Sequence, residues 1–130
     1  MERIIELEGK EIGFKCTAGT VRAYRIEYGR DLIQDMTAIE QQLLEDQMLT
    51  QENTGIAENV LYMFAKQYDS NIPSLPEWLD GFSPYFVFSA IGAAIVMWRE
   101  NLMTLSSAKK NIDQSSESGQ QPSSSCEQSK

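Results

Sequence analysis

A chain of 130 residues has room for one compact domain and not comfortably for two. Eleven Lys and Arg against nineteen Asp and Glu leave a formal charge of -8, so the chain has no electrostatic footprint for a phosphate backbone or an anionic membrane surface. It also has no histidine, which removes the commonest general base near neutral pH, the triads built on it and the commonest zinc ligand.

At the start, Ile5 and Leu7 alternate with Glu6 and Glu8, and Ile12 and Phe14 alternate with Gly13 and Lys15. The two period-two runs meet at Glu8-Gly9-Lys10, where glycine supplies the positive φ of a tight turn, and this predicts a β-hairpin over 3–16. An isolated hairpin is marginally stable, so its apolar face must pack on the rest of the chain. Thr20 is the predicted N-cap of a helix over 21–28, with Ala23, Tyr24 and Ile26 facing inward and Gly29 as its stop. Asp31 caps a second helix over 31–48, in which Leu32, Met36, Ile39 and Leu43 recur at helical spacing and build the core. Ile33 and Leu44 are expected to widen that stripe.

The polar run Thr50-Gln51-Glu52-Asn53-Thr54-Gly55 reads as a loop. Ile56, Val60, Leu61, Phe64 and Tyr68 then mark a helix over 55–68, which Asp69-Ser70-Asn71-Ile72-Pro73 ends. Pro76-Glu77-Trp78-Leu79 suits one helical turn opened by proline at its first position. The most apolar element is a helix over 84–104, too short and too interrupted by Ser89 and Gly92 to span a membrane, and read as a core helix. From Ser106 to Lys130 the chain is Ser- and Gln-rich with Ile112 as its only large aliphatic, the composition of a disordered tail. Lys109, Lys110 and Lys130 there balance Asp113, Glu117 and Glu127, so the whole negative charge lies on the preceding residues. The expected fold class is therefore α+β: a folded unit over 1–105, in which an N-terminal β-hairpin packs on a mainly α-helical body of about four helices, and then a disordered tail over 106–130.

The residue groups that suggest chemistry have simpler readings. Glu27, Asp31 and Asp35 recur at spacings of four, but Gly29 interrupts the helix between them, leaving a solvated acidic face with Asp31 as a cap. Tyr24 to Asp31 mixes aromatics with arginines, which in so acidic a chain reads as helix packing and local ion pairs. Cys16, in a strand with no lysine-rich or histidine neighbourhood, reads as a small apolar packing residue, and Cys126 as an exposed thiol without a partner. Cysteines so far apart are poor material for a disulfide framework or a metal knuckle. The residues Met1 to Glu6 lack the apolar run of a secretory signal, and a reducing cytosol is expected. No Walker loop, dinucleotide fingerprint or nucleophile elbow occurs, so no enzyme and no cofactor are expected. Such a profile suits a module that binds other proteins.

Several segments carry a more specific likeness. They are the opening Gly9-Lys10-Glu11-Ile12-Gly13-Phe14-Lys15 followed by Thr17-Ala18-Gly19-Thr20, then Tyr24-Arg25 and Tyr28-Gly29-Arg30-Asp31-Leu32. Later come Asn59 to Gln67, Glu77-Trp78-Leu79-Asp80-Gly81-Phe82, and finally Trp98, Asn101 and Lys109-Lys110-Asn111. In this order they resemble the tail assembly chaperones of long, non-contractile-tailed bacteriophages, especially those of Gram-positive hosts. The likeness covers about residues 3–111; the Gly92-Ala93-Ala94 stretch departs from a family pattern richer in Leu and Glu. It implies a protein of the host cytoplasm, absent from the finished virion, that binds the tape measure protein, keeps it soluble and promotes tail tube assembly around it. It also implies a longer product made by ribosomal frameshifting, with Lys109-Lys110-Asn111 as the slippage position and tail tube subunits as its partner. Tyr85, Phe86, Phe88 and Trp98 are the candidate client-contacting residues, and self-association through exposed apolar faces is a further expectation. The main alternative is a head-to-tail connector or another small phage structural protein that binds proteins.

Overall fold

The alternation at the N-terminus does produce a hairpin. In the computed structural model, which describes residues 1–100, strands β1 (Glu2–Leu7) and β2 (Lys10–Lys15) pair antiparallel with Ile5 opposite Ile12 and Arg3 opposite Phe14. Glu8 and Gly9 both take positive φ (54° and 75°), as a two-residue turn that matches the strand twist requires. The face bearing Ile12, Phe14 and Cys16 is buried, and β2 packs on the long helix α3 (Gln51–Tyr68).

The helical body comprises α1 (Ala18–Tyr28), α2 (Leu32–Asp46), α3 and the single turn α4 (Leu75–Leu79). A fifth, α5, is helical over residues 86–100. The protein is thus an α+β fold, an N-terminal hairpin on a mainly helical body. One compact unit spans Met1–Met97; of a second, Trp98–Lys130, only residues 98–100 are described. The expected tail over 106–130, residues 101–104 of the last predicted helix, Cys126 and Lys109-Lys110-Asn111 lie outside the described residues.

Cap chemistry sets the helix limits, and it corrects several sequence-based boundaries. Helix α1 begins three residues before the predicted start, because Thr17 and not Thr20 is its N-cap. Thr17 accepts from the Thr20 amide while the Thr20 hydroxyl accepts from the Thr17 amide, a reciprocal capping box between two threonines. Gly29 closes α1 in the left-handed region at φ 67°, as predicted, and Asp31 caps α2 by accepting from the Ile33 amide at 3.1 Å. The polar run at 50–55 is not a loop. Thr50 caps α3 by accepting from the Asn53 amide at 3.1 Å, and the Gln42 side-chain oxygen accepts from the Thr50 amide and the Asn53 side chain at 3.0 and 2.7 Å. The α2–α3 junction is thereby fixed, and α3 starts at Gln51. In α4, Pro76 stands at the second helical position and not the first.

The burial pattern corrects the faces as well. Thr20 and Tyr24 are buried and Tyr28 half-buried, a stripe at steps of four, which leaves Ile26 on the opposite side of α1 and exposed. On α2, Leu32, Met36 and Ile39 are fully buried and Leu43 half-buried, whereas Ile33 and Leu44 are exposed. At about 100° per residue those two lie roughly a quarter-turn or more off the stripe, on one shared flank three turns apart. Val60, Leu61 and Phe64 of α3 join this interior, with Phe14 meeting Phe64 edge-on at 6.0 Å, and Phe86, Ala90, Ile91 and Ala94 of α5 are buried as well.

One glycine is required by close approach. A Cβ on Gly13 would lie 2.2 Å from ring atoms of Tyr68, the last residue of α3, so the ring rests where a side chain would be. The Tyr68 side chain is partly exposed and able to swing out. Gly13→Ala is therefore expected to cost about 1–2 kcal/mol in urea denaturation, and the cost should vanish in a Tyr68→Ala background.

Candidate functional site

The hairpin turn is stitched to the segment that launches α5. The Ser83 amide and hydroxyl donate to the Glu8 carboxylate at 2.8 and 2.6 Å, and Lys10 donates to the Gly81 carbonyl. The Ser83 hydrogen bonds hold the Glu8 carboxyl below its usual range. The Lys10 ammonium also stands 4.8 Å from the Phe82 ring centroid. Contacts 71 and 75 residues apart thus fix the entry to the last helix.

This entry is aromatic. Phe82 and Phe86 stack with centroids 3.8 Å apart, and Trp78 meets both edge-on at 5.5 and 5.4 Å. Tyr62 of α3 joins Trp78 at 5.7 Å while its hydroxyl donates to the Pro73 carbonyl at 2.6 Å. The four candidate client-contacting residues consequently separate. Tyr85 and Phe88 are on the surface at 78% and 52% exposure, whereas Phe86 (1%) and Trp98 (8%) are buried. They do not form one groove: Phe86 is a core residue of the aromatic cluster. Phe88, Gly92 and Val96 form a row at steps of four on the outward side of α5, with Phe88 and Val96 exposed and Gly92 half-buried.

A second apolar surface lies where helical periodicity alone predicts core. Leu44 and Met48, at the C-terminal end of α2, are each 66% exposed, and Ile33 lies on the same helix flank. The available signal was the pair of acids between them, Glu45 and Asp46, which a core-facing segment would not carry.

Among the described residues, the titratable side chains of Cys16, Tyr24 and Asp35 are buried. Cys16 is a buried free thiol, and burial pushes it up to about 11, so it is protonated at neutral pH. Asp35, nearly buried, accepts from the Tyr24 hydroxyl at 2.7 Å and from Arg30 Nε and Nη2 at 2.8 Å each. Burial alone would raise its carboxyl; the Arg30 and Tyr24 hydrogen bonds and the Arg30 charge outweigh this and hold it below the ordinary value. Burial and the Asp35 hydrogen bond raise the Tyr24 hydroxyl in turn. The "YR…GRD" residues Tyr24, Gly29, Arg30 and Asp31 thus build the α1–α2 corner.

A cleft of about 220 Å³ lies between β2 and the end of α3, bordered by Lys10, Gly13, Tyr68, Asp69, Trp78 and Phe82. Its cation is already engaged by Gly81 and Phe82. Among the described residues no group of three or more His, Cys, Asp and Glu is placed to hold a metal ion, and no helix is long and apolar enough to cross a membrane. Comparison of the chain with protein-family models, with curated proteins and with solved structures finds no match in any of the three.

Proposed function

We propose that the protein is a tail assembly chaperone of a long, non-contractile-tailed bacteriophage, which binds the tape measure protein in the host cytoplasm, keeps it soluble and promotes tail tube assembly. The observation that carries this reading is the ordered set of sequence signatures from the hairpin to Lys109-Lys110-Asn111, with Tyr28-Gly29-Arg30-Asp31 and Glu77-Trp78-Leu79-Asp80-Gly81-Phe82 at its centre. The exposed aliphatic and aromatic side chains on α2 and α5 suit the task, because a long helical client with apolar stripes aggregates unless another apolar face covers them. The excess of acidic groups adds solubility and self-repulsion to the loaded complex.

Co-expression with the tape measure protein encoded nearby tests the reading. The client is expected to become soluble and to co-purify; a client that stays insoluble, or soluble but unbound, refutes it. Mass spectrometry of purified particles should find the chaperone missing, whereas a connector or other virion component would be present. In the gene, codons AAA-AAA-AAC for Lys109-Lys110-Asn111 with an overlapping downstream frame would provide for the longer product that contacts tail tube subunits. Other codons there, or no such frame, remove that part of the proposal.

A further inference from the structure

The C-terminal end of α2 breaks local rules of helix chemistry at several adjacent positions. Glu45 and Asp46 occupy its last turn, which holds no basic residue, so two carboxylates sit at the negative pole of the helix dipole. Gln47 closes the helix in the left-handed region at φ 58°, where glycine is the ordinary choice. Leu44 and Met48 flank these acids and are largely exposed, while Ile33 extends the same flank. Local rules tend to be broken where a surface serves something other than stability.

Acidic residues outnumber basic ones in the stretch of chain that contains this helix end. From Asp31 to Met97 the chain has ten acidic residues and one basic residue, Lys66, whereas Met1 to Arg30 has five acidic and six basic. Glu45 and Asp46 are exposed beside the exposed Leu44 and Met48; the Gln41 side-chain amide donates to Glu45 at 3.4 Å, and no basic residue in that turn offsets either charge. A second copy of the chain would oppose the same carboxylates and the same helix pole, so like charges disfavour it. The chain's own residues 106–130 have as many acids as bases and one large aliphatic, which gives them neither the charge nor the stripe to match.

We propose that the α2 C-terminal face, centred on Leu44 and Met48, docks a basic amphipathic helix of the client. Its apolar stripe covers Leu44, Met48 and Ile33, and its Lys and Arg side chains meet Glu45, Asp46 and the last carbonyls of α2. The proposal rests on the reading of the chain as a client-covering module and adds the surface and the client's chemistry to it.

The probe is a fluorescent peptide of about five helical turns with Leu and Lys at amphipathic spacing, titrated into the full chain by anisotropy, beside a counterpart with Glu for Lys. The Lys peptide is expected to bind, less tightly as salt rises, and the Glu peptide not to bind. Leu44→Ser/Met48→Ser should weaken binding by about tenfold, with melting unchanged because both side chains are exposed. Glu45→Lys/Asp46→Lys should weaken it at least as much. Glu2→Lys/Glu6→Lys, the same charge change on the hairpin, should alter it by less than about twofold. Equal losses in the two charge variants would reveal general attraction and overturn the proposal, as would an unaffected Leu44→Ser/Met48→Ser. A dimer in sedimentation that this last variant dissolves would give the face to a second copy and overturn it too. Failure of the broader reading is separable: peptide bound at α2 with no effect on the tape measure protein leaves the face standing. A tape measure protein solubilised equally by Leu44→Ser/Met48→Ser removes the face and leaves the reading.

Discussion

Phe86→Ala is expected to lower stability by about 4 kcal/mol, whereas Phe88→Ala, on the same helix, should change it by less than about 1 kcal/mol. The difference comes from orientation and not from composition. Phe86 stacks on Phe82 and meets the edge of Trp78, and it is almost wholly enclosed, so truncation removes a ring's worth of contacts and leaves a cavity between α4 and α5. Phe88 projects to solvent and loses little. Since total stabilities run to roughly 5–15 kcal/mol, Phe86→Ala should shift the urea midpoint severely and Phe88→Ala hardly at all. Equal midpoints for the two variants would refute the packing of α5. The proposed client binding at the start of this helix is accordingly tested with Tyr85→Ser/Phe88→Ser, two exposed positions, because a loss of binding in any Phe86 variant would report unfolding.

Elements specified by neighbouring residues were legible in the sequence. The hairpin comes from alternation around Glu8-Gly9, the α1 stop from Gly29 and the α2 start from Asp31, each a choice made within a few bonds. Competing local signals defeated the reading elsewhere. Thr17 and Thr20 are both competent caps, and the reciprocal bond that assigns Thr17 the role depends on backbone angles. At 50–55 a polar composition resembled a loop, but Thr50 together with Gln42, eight residues upstream, satisfies the first amides of α3 and lets the helix begin there. The faces were less legible than the elements. Periodicity marks every apolar position on α2 alike, and only the arrangement of its neighbours decides that Leu32 and Met36 are covered while Ile33 and Leu44 are not. The Glu8–Ser83 link, with 75 residues between its partners, had no sequence signal at all.

Asp35→Ala is expected to cost about 3 kcal/mol, and the cost should diminish in acid. Asp35 accepts from both Tyr24 and the Arg30 fork, and it ties the end of α1 to the first turn of α2 across the Gly29-Arg30-Asp31 corner. Arg30 is about half exposed, with 47% of its side chain accessible, so solvent screens much of the charge attraction. The larger loss comes from the Tyr24 hydroxyl, whose residue is fully buried and would be left without this acceptor, at about 1–3 kcal/mol. Tyr24→Phe should cost less, about 1 kcal/mol, since the carboxylate keeps its two Arg30 bonds. The pH dependence arises because the carboxyl is held below its unfolded value of about 4. Stability from this group is fully present above that value and is lost as pH falls through the lower, folded one. Urea denaturation of the parent protein and of Asp35→Asn should therefore show a gap that is constant from about pH 7 to 5 and narrows below about 4. A gap that widens in acid, or an Asp35→Ala variant within about 0.5 kcal/mol of the parent, would show that the corner does not determine the fold. The outcome also bears on function. If the corner behaves as expected, the "YR…GRD" residues serve to hold α1 against α2, which leaves the proposed client contact to the flank of α2 that faces away from them.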